Sequence, residues 1–121
     1  MRILELTLKK KWFYMIQSGE KLEEYREIKD YWIKRLAACK GNNSYEKTGF
    51  YCKKALCISC IKRGNGFHEK QFDAIRFTNG YGKSRPSFLI ECKEIVIGPG
   101  KTPWGAEEGE IYIILKLGKI I

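Results

Sequence analysis

The chain has 121 residues, 44% of them hydrophobic and 13% aromatic, a composition that excludes wholesale disorder and allows one buried core. Its formal net charge of +9 at pH 7 predicts attraction to polyanions, of which nucleic acid is the commonest. No apolar run approaches the roughly 18 residues of a membrane span, and residues 1–11 lack the apolar stretch of a signal peptide. We therefore expect one cytoplasmic domain whose five cysteines stay reduced.

The first part of the chain predicts a strand, a helix and a second strand. Leucines at every second position over residues 4–8 alternate with polar side chains, which indicates a half-buried strand. Apolar residues then recur at helical spacing, so we predict a short helix over residues 10–18. Gly19 can adopt the left-handed conformation that ends a helix. Residues 23–27 are expected to be extended.

Three charged residues, Lys21, Glu24 and Arg26, follow that helix within six positions. If this stretch is extended, the period of two places Glu24 and Arg26 on one face of the strand. A lysine, a carboxylate and an arginine gathered in one place would suit a pocket that grips a polar ligand. The alternative is an edge strand whose charges simply lie in water.

The rest of the chain predicts one helix and three strands, over residues 28–38, 72–78, 87–97 and 111–117. The aromatic stripe of the helix, including Trp32, is expected to lie in the core. The apolar face of the strand over 87–97 changes side, and a β-bulge near Lys93 and Glu94 would explain the change. Residues 79–82 are typical of a tight turn, and Trp104 lies in a predicted loop.

Residues 39–71 interrupt this pattern and contain four of the five cysteines. Cys57 and Cys60 have zinc-ligand spacing, and Cys52 is close enough to join them. A structural zinc would give a long loop a reason to fold, whereas the alternative is a surface insertion with reduced thiols. The candidate ligands are Cys52, Cys57 and Cys60, with Cys39 or His68 as the fourth.

Several segments resemble one family. The spacing of Gly19, Lys21, Glu24 and Arg26 resembles the G-x-K-x-x-E-x-R signature of ASCH domains, which are relatives of the RNA-binding PUA domains. Three further segments are similar to small ASCH proteins of bacteria and their phages: Phe77–Gly82, Trp104–Glu107 and Ile114–Gly118. The resemblance covers residues 1–38 and 72–121 and leaves the insertion at 39–71 unmatched.

The resemblance implies an α+β fold: a PUA-like small mixed β-barrel with two short helices, forming a single domain over residues 1–121 with a Cys-rich insertion. It also implies binding of RNA or a modified nucleotide at the mouth of the barrel. The aromatic side chains nearby offer stacking faces for a base. The candidate ligand-binding residues are Lys21, Glu24, Arg26, Asn79, Tyr81 and Trp104.

Two other functions remain open. Some ASCH proteins hydrolyse N4-acetylcytidine, and others are linked to RNA cleavage. This chain resembles them in its lysine but carries Glu24 where the first group has threonine. A hydrolase of a modified nucleoside or of RNA would therefore use Lys21 and Glu24 as its acid/base pair. The third function is a phage or host protein-interaction module that binds through residues 39–71.

Overall fold

The fold combines one mixed sheet with two short helices. The structure is a computed structural model that describes residues 2–36, 72–80 and 85–121. Its strands are β1 (Ile3–Leu8), β2 (Glu23–Arg26), β3 (Ala74–Asn79), β4 (Ser87–Pro99) and β5 (Ile111–Ile120). Its helices are α1 (Lys10–Gln17) and α2 (Asp30–Leu36), with a 3-10 turn over Thr102–Trp104.

The strands are ordered β1-β3-β4-β5-β2 across the sheet. The sheet is mixed because β1 pairs with β3 in parallel, whereas β3 pairs with β4 in antiparallel fashion. The predicted α+β class with a small mixed sheet is confirmed, and the finer PUA-like assignment stays a proposal. Among the residues that the structure describes, no helix is long and apolar enough to cross a membrane.

The chain divides into two compact units. The described residues of the first unit are 2–24, 72–80, 85–94 and 115–121. Those of the second unit are 25–36 and 95–114.

The core of the first unit forms where α1 packs against β1 and β3. The three leucines of β1 are each 4% exposed, which confirms the predicted alternation. Helix α1 contributes Phe13 and Ile16, both buried, and the ring of Phe13 meets that of Phe88 edge-on at 5.0 Å. Phe77 of β3 is also buried and lies 5.9 Å from Phe88. Burial of these rings away from water stabilises the unit.

Gly19 ends α1 in the predicted way. Its φ is +86°, in the left-handed region, and its N–H donates to the carbonyl of Ile16 at 3.1 Å. The chain then turns so that the N–H of Lys21 donates to the carbonyl of Met15 at 2.9 Å. The turn at the end of the helix therefore fixes the position of the Lys21 backbone.

In the second unit, the buried face of α2 differs from the predicted stripe. Ile33 and Leu36 are buried, whereas Tyr31 is 57% exposed and Trp32 is half-buried. The prediction of Trp32 as a core residue is therefore wrong. The helix begins only at Asp30, so its inward face is set by Ile33 and Leu36 at a spacing of three, which turns Tyr31 away from the core.

The predicted change of face in β4 is confirmed. Ile90 and Ile95 are buried, and the consecutive residues Lys93 and Glu94 between them are both exposed. Strict alternation would have buried one of those two neighbours.

Candidate functional site

The two acid/base candidates of the sequence form a buried ion pair in the first unit. The Nζ atom of Lys21 lies 2.6 Å from Oε1 of Glu24. Lys21 is only 2% exposed and Glu24 only 3%. The alternative of charges lying in water is therefore excluded for these two residues. Burying two charges is costly, and close pairing offsets that cost only in part.

An aromatic ring completes this cluster. The Nζ atom of Lys21 lies 4.3 Å from the centroid of the Trp12 ring, a cation–π distance. Trp12 is half-buried in α1, and the Nζ atom of Lys11 lies 4.7 Å from the same centroid. An ammonium held between a carboxylate and an indole is fixed in position. Such a pair can stabilise the fold, or it can transfer protons if a substrate reaches it.

The second unit contains a cleft of about 680 Å³, a volume within the usual range for small-molecule sites. Three kinds of side chain contribute to its walls: aromatic rings, one guanidinium and three carboxylates. The lining residues that carry these groups are Tyr25, Trp32, Tyr112, Arg26, Glu27, Glu107 and Glu110.

Arg26 makes a cation–π contact with an aromatic residue of the cleft. Its Cζ atom lies 4.9 Å from the centroid of the Trp32 ring, and its Nη1 donates to the carbonyl of Tyr25 at 3.2 Å. Arg35, which does not line the cleft, also contacts this ring, with Cζ at 5.4 Å. A guanidinium is planar and holds its N–H groups in a fixed fork, a geometry suited to recognising a flat ligand with two neighbouring acceptors.

Two tyrosines form a second aromatic wall. The rings of Tyr25 and Tyr112 lie 5.6 Å apart at an angle of 38°. The hydroxyl of Tyr25 accepts the N–H of Lys101 at 2.9 Å, and that of Tyr112 accepts the N–H of Glu107 at the same distance. Each ring is thus anchored at its far end, so the wall is built before any ligand arrives.

The three carboxylates on the cleft are exposed to water. Glu27 follows Arg26 directly, whereas Glu107 and Glu110 belong to one turn in which the N–H of Glu110 donates to the carbonyl of Glu107 at 3.2 Å. Gly109 allows that turn with a φ of +85°. The cleft therefore offers hydrogen-bond acceptors from the carboxylates and donors from one guanidinium.

The remaining predicted site residues are distributed as follows. Asn79 ends β3 half-buried, and its N–H donates to the carbonyl of Pro86 at 3.0 Å. Trp104 is half-buried, with Nζ of Lys101 at 4.7 Å from its ring, and it does not line the cleft. Lys21 and Glu24 belong to the first unit and Arg26 to the second, so their convergence on one ligand stays a prediction.

The proposed zinc ligands and one turn residue lie outside the described residues: Cys39, Cys52, Cys57, Cys60, His68 and Tyr81. Within residues 2–36, 72–80 and 85–121, no group of three or more His, Cys, Asp or Glu side chains is arranged to hold a metal. The structural zinc therefore stays a prediction.

Sequence reasoning missed part of the cleft. Tyr112 was hidden because it alternates with the apolar residues of β5 and looks like an ordinary strand residue. Trp32 looked like core because its spacing fits a helical stripe. No sequence pattern indicated that Glu110 would line a cleft. The one available signal was the odd spacing of Tyr112 from the inward-facing residues Ile113, Leu115 and Leu117, which places it on the opposite face of the strand.

Comparison with known proteins adds no assignment to this geometry. No family model matches the chain, and no curated protein and no solved structure matches it either. The ASCH likeness therefore stays a resemblance of motifs.

Proposed function

We propose that this chain binds RNA, or a modified nucleotide within RNA, and that the cleft of the second unit receives one unstacked base. The observation that carries the proposal is the cation–π contact of Arg26 with Trp32 at 4.9 Å, in the same cleft as the anchored pair Tyr25 and Tyr112. Proteins that read single-stranded RNA stack bases on aromatic rings and guanidinium planes. Arg26 is also a residue of the signature that resembles ASCH domains.

The charge of the chain supports the same proposal. Residues 39–71 carry seven basic and two acidic side chains, so they hold +5 of the net charge of +9. Phe50, Tyr51 and Phe67 are interleaved with these basic residues in the sequence. Basic side chains would bind phosphates in a salt-sensitive way, while the cleft would bind a base.

Binding of single-stranded RNA is expected in the micromolar range at ~50 mM salt and is expected to weaken steeply as salt is raised. Fluorescence anisotropy with a labelled oligonucleotide measures this. Deleting residues 41–70, which removes six basic and two acidic side chains, should flatten the salt dependence, because fewer counterions are then released. If the intact chain binds neither RNA nor single-stranded DNA at ~50 mM salt, the proposal is wrong.

A second candidate function is hydrolysis of a modified nucleoside or of RNA. The buried pair of Lys21 and Glu24 favours it, because ionisable groups held out of water are concentrated at functional sites. Glu24 would activate a water molecule, and Lys21 would protonate the leaving group or stabilise an oxyanion. Both residues are almost fully buried, so this reaction requires the site to open. The first proposal, whose cleft is already open, is therefore preferred.

Hydrolysis is tested by incubating the chain with N4-acetylcytidine and, separately, with single-stranded RNA, and by following the products with mass spectrometry. An enzyme should give product that disappears in the double variant Lys21→Met/Glu24→Leu, which removes both charges and keeps similar volumes. Product formed equally by this variant would exclude the pair as the catalytic groups. The interaction-module alternative rests on residues 39–71, all of which lie outside the described residues.

A further inference from the structure

We infer that the cleft of the second unit selects guanine among the four bases. The inference rests on the proposed function, because it assumes that a base enters the cleft. It starts from the composition of the lining, in which one guanidinium, that of Arg26, accompanies the three carboxylates of Glu27, Glu107 and Glu110. These groups place strong donors and strong acceptors around one cleft that is also lined by aromatic rings.

The balance of charge decides which part of a nucleotide enters. Three carboxylates against one guanidinium repel a phosphate, because like charges raise the energy of a partly desolvated anion. A neutral base has no such penalty, and its N–H groups can donate to the carboxylates. The cleft therefore suits the base and leaves the phosphates outside.

The pattern of donors and acceptors then distinguishes the bases. A guanidinium binds guanine best, through the neighbouring acceptors O6 and N7. Guanine also carries a pair of donors, N1–H and the N2 amine, on the edge that a carboxylate can bind. Adenine places its N6 amine beside N7, so one donor would face the guanidinium. Cytosine has the neighbouring acceptors O2 and N3 but only one donor group, the N4 amine, and uracil has no two neighbouring acceptors. Guanine alone combines two neighbouring acceptors with two neighbouring donor groups, so it alone can make a bidentate contact on both sides.

The turn that contains Glu107 and Glu110 is the better candidate for the donor edge of guanine. Two hydrogen bonds hold this turn: the N–H of Glu107 donates to the hydroxyl of Tyr112, and the N–H of Glu110 donates to the carbonyl of Glu107. Glu27, by contrast, follows Arg26 directly in the chain. We assign the N1–H and N2 amine to the Glu107–Glu110 turn and the O6/N7 edge to Arg26.

The test uses oligouridines that differ in one central base, bound to the full chain and measured by fluorescence anisotropy. Guanine at that position should bind about tenfold more tightly than adenine or cytosine, the usual value of one well-placed bidentate contact. Inosine, which lacks the N2 amine, and 7-deazaguanine, which lacks N7, should each lose a large part of this advantage.

Matched variants assign the contacts. In Glu107→Gln/Glu110→Gln, guanine and inosine should bind equally, whereas Glu108→Gln, an exposed neighbour that does not line the cleft, should behave as wild type. In Arg26→Gln, guanine and 7-deazaguanine should bind equally. Arg35→Gln removes a cation from the same Trp32 ring but not from the cleft, and it should retain the difference.

The possible outcomes test the selection of guanine, its assignment to the cleft and RNA binding separately. If all central bases bind within about twofold of one another, the selection of guanine is wrong, while RNA binding itself stands. If Glu108→Gln abolishes the preference as fully as the double variant does, the assignment to the cleft is wrong. If no oligonucleotide binds at ~50 mM salt, the proposed function fails and the inference fails with it.

Discussion

Replacing Lys21 by alanine should lower the free energy of unfolding by about 3–5 kcal/mol, the usual cost of breaking a buried ion pair from one side. The Glu24 carboxylate, 3% exposed, would stay in the interior without the ammonium that now lies 2.6 Å away. The ring of Trp12 would also lose the nearer of its two cations and keep that of Lys11. Urea unfolding of the full chain measures the change, provided that the slope against denaturant stays the same.

Two controls show whether the loss of stability comes from burial of the ion pair. The double variant Lys21→Met/Glu24→Leu should recover most of the lost stability, because apolar side chains of similar volume need no desolvated partner. The pair formed by Arg76 and Glu5 has the same N–O distance of 2.6 Å, but its side chains are 41% and 57% exposed. Glu5→Gln should therefore cost at most about 1 kcal/mol. A Lys21→Ala variant as stable as Glu5→Gln would contradict the buried pair.

This result also determines how activity should be tested. Loss of binding or turnover in Lys21→Ala alone does not distinguish a lost site from a lost fold. The double variant is expected to keep the fold while it removes both charges, so a loss of activity in that variant, at recovered stability, reports on function.

Replacing Gly100 by alanine is expected to cost about 1–3 kcal/mol and to weaken RNA binding, because the added methyl group overpacks the cleft wall. An ideal Cβ at this position would lie 2.6 Å from Cβ of Ala106 and 2.9 Å from Cζ of Tyr25. Ala106 is 5% exposed and has little room to move, so the Tyr25 ring must shift. That shift would break the bond from the N–H of Lys101 to the Tyr25 hydroxyl. Urea unfolding and anisotropy measure the two effects.

Gly98→Ala is the matched control for this variant. Gly98 lies near the end of β4, two residues before Gly100, and a Cβ there would meet only Cδ1 of Ile114 at 3.5 Å, an ordinary van der Waals contact. It should change stability by less than about 1 kcal/mol and leave RNA binding intact. Equal effects at Gly98 and Gly100 would show that Tyr25 is not held by this close approach.

Local patterns in the sequence predicted the local features of the fold. Alternation identified β1, and the position of Gly19 identified the end of α1, because both depend on neighbours within a few residues. The burial of Lys21 and Glu24 could not be predicted in this way, since charged residues are exposed by default and only tertiary packing decides otherwise. The same holds for the wall of Tyr25 and Tyr112, residues far apart in the chain that the fold brings to 5.6 Å.

The pairing of β1 with β3 joins positions as far apart as Glu5 and Arg76, which are 71 residues distant in the chain. Most of the intervening length is the segment between α2 and β3. In the unfolded chain, the entropy cost of bringing two residues together grows only with the logarithm of the number of residues between them, so doubling that number costs about 0.6 kcal/mol. Lengthening or shortening this segment should therefore alter the folding equilibrium very little. Evolution could then revise its sequence, and with it the charge presented to a polyanion, almost independently of the sheet that it connects.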